Sequence, residues 1–318
     1  MNALSDDQIA FFKANGYLIL KGMLDKDLCE RARDRMWSAL PEDVPIDRDD
    51  PATHTGPFAP EHESDDPLHI RKGYLWQYRA CGTEPLLIDL VYNPRLCAVA
   101  EQLLGAGMLQ PPEVGSPPMG SAGAAWPGGP TDPAIGGGIR GIYNTLPYGD
   151  KPREADYGHT DGHPFNLGIV GLIDDTPADG GAFRIWPGSH RRLFHTFQMP
   201  YDQPRIPFYE HLPTLKGIIH SEAYLEELEQ IMQDTTPVDC HGETGDVVLW
   251  HHRLVHMAGQ NYSNVIRQAV LYDFTRTDLD SARVGAPPED MWRDWSDDLK
   301  ASGLAYSEDL AREQRLGS

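Results

Sequence analysis

The chain has 318 residues, 40% of them hydrophobic, which suffices to bury a sizeable core in one elaborated domain. A formal net charge of −21 sets its mean field against polyphosphate and acidic lipid, so neither nucleic acid nor a membrane surface is an expected partner. Acidic residues stand where a signal peptide would be basic, and no apolar run approaches the roughly 20 residues that span a bilayer, so a cytoplasmic protein acting on a small molecule is expected.

Along the chain, Ser5 followed by Gln8 is a capping-box pattern, and Ile9, Phe11, Phe12 and Gly16 outline a short helix. A strand is predicted over Tyr17 to Leu20, and Asp25 caps a second helix with an apolar stripe of Leu28, Cys29, Ala32, Met36, Trp37 and Leu40. From Pro41 to about Leu68 the composition turns to Pro, Asp, Glu and His, which predicts a surface loop whose histidines, with His54, His62 and His69 counted among them, are solvated. Leu86 to Leu104 reads as helix, with Pro94 either kinking it or starting a new one. The Gly- and Pro-rich stretch from 108 to 138 is either a linker or a lid over a site. Short strands separated by turns then follow at Arg140 to Leu146, Leu167 to Ile173, Ala182 to Trp186, Val247 to Trp250 and Ile266 to Phe274, the character of a β-sandwich or jelly roll. A helical insertion, 195 to 240, interrupts them. Cys29, Cys81, Cys97 and Cys240 are scattered without a CxxC pair and read as reduced thiols.

His159 and Asp161 stand two apart, so on a strand both side chains would leave the same face. With a second histidine they would make the two-histidine, one-carboxylate triad that leaves three positions of a non-haem Fe(II) open. The H-x-[DE] triplet occurs again at His220 with Glu222 and at His241 with Glu243. His220 opens a helix, where residues two apart diverge, and His241 lies in a turn, which leaves His159 and Asp161. For the third ligand the segment offers His251, His252 and His256.

The succession of H-x-D, GGAFRIWPGSH, GDVVLW and H-x(4)-N-x-S-x(3)-R, together with the opening DDQIAFFKANGYLILKGML, closely resembles the phytanoyl-CoA dioxygenase family of Fe(II)/2-oxoglutarate oxygenases. The resemblance spares the loops at 41–70 and 106–138 and the insertion at 195–240. It implies a mainly β, cupin-like double-stranded β-helix with helices packed outside. Within one domain, 1–318, residues 1–105 would form helical support, 139–280 the β-core and 281–318 a tail. The resemblance also implies iron on His159, Asp161 and His256, dioxygen as co-reactant, and Arg267 paired with the distal carboxylate of 2-oxoglutarate. Many relatives carry a serine two residues after the distal histidine. Ala258 stands there in this chain, and Tyr143 or Asn144 is the expected replacement contact to the cosubstrate. Halogenating relatives have Gly or Ala in the place of Asp161, so hydroxylation or a related oxidation of a small metabolite is expected. The competing reading is a cupin-like isomerase or hydrolase using its metal as a Lewis acid. Further pocket candidates are His163, Arg184, Trp76, Tyr78 and Arg79, whereas His190 reads as a turn residue.

Overall fold

The computed structural model describes residues 3–112, 139–161, 165–197, 221–282 and 286–316. Helix α1 (Asp6–Asn15) begins with the expected reciprocal cap, in which Ser5 and Gln8 each accept from the other's backbone N–H. Strand β1 is Tyr17–Leu20, and α2 (Lys26–Trp37) starts where the Asp25 carboxylate accepts from the N–H groups of Asp27 and Leu28. Strands β2 (His69–Lys72) and β3 (Leu75–Tyr78) form a hairpin. Pro94 starts a new helix rather than kinking an old one: α3 is Pro85–Val91, and α4 (Pro94–Leu104) is capped by Asn93.

The core strands are β4 (Ile139–Thr145), β5 (Leu167–Leu172), β6 (Phe183–Ile185), β7 (Val238–Cys240), β8 (Val247–His251), β9 (His256–Ala258) and β10 (Arg267–Phe274). Between β6 and β7 lie α5 (Ser189–Leu193) and α6 (Glu222–Asp234). After β10 come α7 (Leu279–Ala282), α8 (Asp297–Ala301) and α9 (Glu308–Leu316). A seven-stranded sheet in the order β1-β8-β5-β10-β4-β3-β2 faces a three-stranded sheet in the order β7-β6-β9, and every pairing is antiparallel. This is the cupin-like double-stranded β-helix. All six residues of β5 are buried, because the small sheet and the surrounding helices leave neither face in water. Gly168 within it is a matter of space: a Cβ there would stand 2.1 Å from the Trp250 ring, which lies across the strand. Trp250 in turn touches Phe183 of the small sheet, with ring centroids 4.8 Å apart, and so joins the two layers.

The β10–β4 ladder is not regular. Leu271 faces Gly141 while Tyr272 faces Ile139, so Arg140 is an extra residue on β4, a β-bulge. Gly141 beside it sits at φ 105°, where a Cβ would come within 2.4 Å of the Tyr78 carbonyl oxygen, so only glycine fits that bend. Because side chains alternate along a strand, the bulge turns Arg140 onto the face that carries Tyr143 and Thr145, opposite to Ile142 and Asn144.

Two edges close the large sheet differently. At β1, the Gln314 side chain from α9 accepts from the Ile19 N–H at 2.6 Å and donates to the Ile19 carbonyl at 3.0 Å. At β2 the edge carries Arg71 and Lys72. Among the described residues, no helix is long and apolar enough to cross a membrane.

Part of the acidic loop departs from expectation. His54 is 7% exposed, hydrogen-bonded to the Asp47 carbonyl and packed on Trp37. His69 lies on a strand, its Nε2 accepting from the Trp76 indole at 3.0 Å, and burial followed by the nearby Arg71 charge lowers its pKa to about 4. Both histidines serve packing rather than solvation. Beyond residue 112, the stretch read as lid or linker falls outside the described residues.

Candidate metal centre

His159 does not lie on a long strand, as its two-residue spacing from Asp161 suggested; it forms an isolated bridge with His256. The two residues exchange both backbone hydrogen bonds, at 3.0 and 2.9 Å, which places the imidazoles side by side with centroids 4.8 Å apart. Asp161 then turns its Oδ1 toward both, 4.0 Å from His159 Nε2 and 3.6 Å from His256 Nε2. Donor atoms of the three residues all lie within 4.8 Å of one another, and among the described residues no other group of histidines, cysteines and acids converges in this way.

The donor set fits a divalent metal. Nδ1 of His256 is 2.9 Å from the Leu254 carbonyl, a contact that only an N–H can make, so the lone pair is left on Nε2, facing Asp161. Its ring packs at tilted angles against Phe183 and Trp250. Thr160, between His159 and Asp161, shares a 3.0 Å hydrogen bond with the buried Tyr224 hydroxyl, which fastens this loop to α6. Around Tyr224 a second apolar cluster of Trp186, Leu193, Phe197, Leu228, Ile231, Val255 and Met257 seats that helix.

Arg267 opens β10 directly opposite Thr145 and is 4% exposed. Its Nη2 donates to Thr145 Oγ1 at 3.1 Å, its Nε has no partner, and no carboxylate among the described residues pairs with it. Burial alone pulls its pKa down to about 10. The N-x-S element before it is a clasp. Asn261 donates to the carbonyls of Thr145 and Val265, while its own oxygen accepts from the N–H and hydroxyl of Ser263, and this locks the turn that delivers Arg267 to Thr145. Of the expected contacts to the cosubstrate, Tyr143 shares the face of Arg267 whereas Asn144 points the other way, both its side-chain atoms buried without partners. Thr145, which the sequence reading passed over, is the hydroxyl beside Arg267.

Arg140 is the other residue missed. Its Nη1 donates to Asp161 Oδ2 at 2.8 Å, and its Nε and Nη2 donate to the two oxygens of Asp273 at 2.8 and 2.5 Å. Burial disfavours its charge, but the two carboxylates outweigh burial and raise its pKa. An isolated glycine inside a strand pattern, here Gly141, was the available sign of a bulge.

Residues 153–269 match the phytanoyl-CoA dioxygenase (PhyH) family. That segment belongs to the family. It contains His159, Asp161, His256 and Arg267 together. Proteins of that family are non-haem iron, 2-oxoglutarate-dependent enzymes, and the matched segment points to an enzyme of that kind. No curated protein matches the sequence significantly. Among solved structures, EctD from S. alaskensis in its apoform is 18% identical, with a TM-score of 0.51 over 87% of this chain and 79% of that one. The same protein with bound Fe gives 17% identity and a TM-score of 0.50 over 87% and 78%. SnoK, described as a non-heme alpha ketoglutarate dependent carbocyclase from nogalamycin biosynthesis, gives 18% identity and 0.49 over 93% and 97%. The EctD structures share the double-stranded β-helix.

Several pocket candidates have structural duties in this phytanoyl-CoA dioxygenase relative. Arg184 is bound by Asp156 and Asp239. Trp76 is core, edge-on to Trp37, and Tyr78 lies beneath the Arg35 guanidinium. Arg79 stacks over Tyr143 and donates to Gln77. His190 is wholly buried, 3.3 Å from the Lys13 carbonyl and packed on His251 and Trp292, and burial lowers its pKa to about 3. His163 lies outside the described residues.

Proposed function

We propose that the chain is an Fe(II)/2-oxoglutarate-dependent dioxygenase that hydroxylates or otherwise oxidises a small-molecule metabolite. In the hydroxylation form, one oxygen atom of dioxygen enters a C–H bond of the substrate and the other enters 2-oxoglutarate, which leaves as succinate and CO2. His159, Asp161 and His256 would hold the iron, whose role when bound is to chelate the α-keto acid and activate dioxygen on the positions the triad leaves open. The observation that carries the reading is Arg267. A buried guanidinium with one hydroxyl contact and no carboxylate among the described residues is costly unless an anion completes it. Its planar fork suits a carboxylate, and Thr145 Oγ1 and the Tyr143 side of β4 lie on the same face. Lewis-acid isomerisation or hydrolysis does not in itself call for such a cation, which is why that reading ranks second. The phosphates of a coenzyme A ester would be opposed by the acidic surface, so a smaller metabolite is favoured. Succinate formation, followed anaerobically and then in air with Fe(II), 2-oxoglutarate and a metabolite library, tests the proposal. Substrate-stimulated succinate is expected, and turnover that is indifferent to 2-oxoglutarate would contradict it.

A further inference from the structure

Arg140 and Asp273 stand out as a buried ion pair in a place that apolar side chains could fill. Taking an ion out of water costs several kcal/mol, and buried pairs are often no more stabilising than apolar residues of the same volume. Yet the Arg140 and Asp273 side chains, 7% and 3% exposed, sit in the core of the β-helix, and a bulge with an obligatory glycine turns Arg140 toward the ligand face. On β10, Asp273 lies an even number of residues from Arg267 and so shares that same face.

We infer that Arg140 and Asp273 are a positioning pair that holds Asp161 to a single metal-facing oxygen. This rests on the reading of His159, Asp161 and His256 as the metal ligands. The two Asp161 oxygens are divided between tasks: Oδ2 accepts from Arg140 at 2.8 Å, and Oδ1 faces both imidazole Nε2 atoms. A carboxylate free to rotate could bind a cation through both oxygens and consume a position that cosubstrate or dioxygen needs. Arg140 prevents this by occupying Oδ2. Asp273 has two effects on Arg140. Its bidentate grip fixes the guanidinium plane, and its charge balances the arginine, so that the three groups together keep one net negative charge for the metal. Phe165 and Trp250 cover the guanidinium at 5.0 and 5.9 Å, and Trp250 also packs on His256, so one aromatic wall sets both a ligand and the residue that orients a second ligand.

The test uses the full chain and three variants: Arg140→Met, Asp273→Asn, and the double variant Arg140→Met/Asp273→Leu, in which apolar side chains replace the pair. Fe(II) and Co(II) affinities are measured anaerobically against a competing chelator, together with the visible spectrum of the Co(II)-loaded protein and circular dichroism of the metal-free protein. We expect the double variant to fold and to bind either metal about 10- to 100-fold more weakly, as loss of groups that orient ligands does elsewhere. Its Co(II) spectrum should change as Asp161 changes its mode of binding. In Asp273→Asn the uncompensated guanidinium beside Asp161 should weaken affinity in the same direction. A folded double variant with wild-type metal affinity and an unchanged Co(II) spectrum would reduce the pair to a core salt bridge and overturn the inference. A wild-type protein that binds neither metal would instead remove the metal centre itself, and this inference with it.

Discussion

Replacing Arg267 with methionine, a side chain of similar length without charge, should stabilise the metal-free protein while it destroys cosubstrate binding. Burial lowers the Arg267 pKa from 12.5 to about 10, which corresponds to roughly 3 kcal/mol pressing against the charged form. Losing the bond to Thr145 costs about 1 kcal/mol, so a net gain of about 2 kcal/mol is expected. For a chain of 318 residues, an unfolding entropy of about 2.1 cal/mol/K per residue converts this to an increase of about 3 °C in Tm. Affinity for 2-oxoglutarate should move the opposite way. A lost buried charge pair costs about 2 to 5 kcal/mol, or roughly 30- to several-thousand-fold at about 1.4 kcal/mol per decade. Scanning calorimetry of the apoproteins gives the first number. Anaerobic titration of the Fe(II)-loaded proteins with 2-oxoglutarate, beside an α-keto acid lacking the distal carboxylate, gives the second. Wild type should prefer the dicarboxylate, and the variant should lose most of that preference while still binding iron. If the methionine variant melts below wild type, or binds 2-oxoglutarate as tightly, the account of Arg267 as a cation awaiting its anion is wrong.

Asp161→Ala should abolish stoichiometric Fe(II) binding with little change in fold, whereas Glu243→Ala, whose residue sits in the turn before Gly245, should retain it; metal analysis of the two purified proteins decides. Tyr224→Phe removes the hydroxyl that holds Thr160, at a cost of about 1 kcal/mol, and should speed amide exchange at 159–161 relative to the strands; equal protection in variant and wild type would free the ligand loop from α6. Acid should destabilise the protein through His190 and His69. Their folded pKa values, about 3 and about 4, lie below the ordinary 6.5, so the stability that their neutral forms supply is complete above pH 6.5 and is lost as pH falls from there toward those values. His190→Gln should therefore flatten the decline of Tm between pH 6.5 and 4, and a decline as steep as that of wild type would count against it.

Legibility followed the range of the interactions. Caps and periodicity are local, so α1, β1, α2 and the start of α4 at Pro94 could be read within a residue or two. The convergence of His159, Asp161 and His256 was legible as a set of motifs, although the stated reason was incomplete: His159 and Asp161 meet His256 through a two-residue bridge, a pairing across almost a hundred positions that strand parity cannot see. Strands β7 and β9, three residues each, are too short to show a period, and β2, rich in His, Arg and Lys, looks like loop until its pairing to β3 is known. Arg184 resisted assignment because Asp156 and Asp239, which hold it, are distant in sequence. Arg140 was hidden for a subtler reason. Regular alternation from Asn144 would have turned it away from the ligands, and one inserted residue reverses that parity.

The amide of Gln314 stands to Ile19 as a peptide group of a neighbouring strand would, offering one acceptor and one donor at the right spacing. It works as a cork in the margin of the large sheet. A chain cut before Glu308 would leave Tyr17-Leu18-Ile19-Leu20, an apolar ribbon with open hydrogen-bonding groups, as a template for another copy of itself. At the opposite margin Ser64 already pairs with Arg71 through both backbone hydrogen bonds, whereas β1 has no such strand partner on its outer side and depends on the cork. Access to this open edge is thus controlled from α9, by a residue outside the cluster of His159, Asp161 and His256.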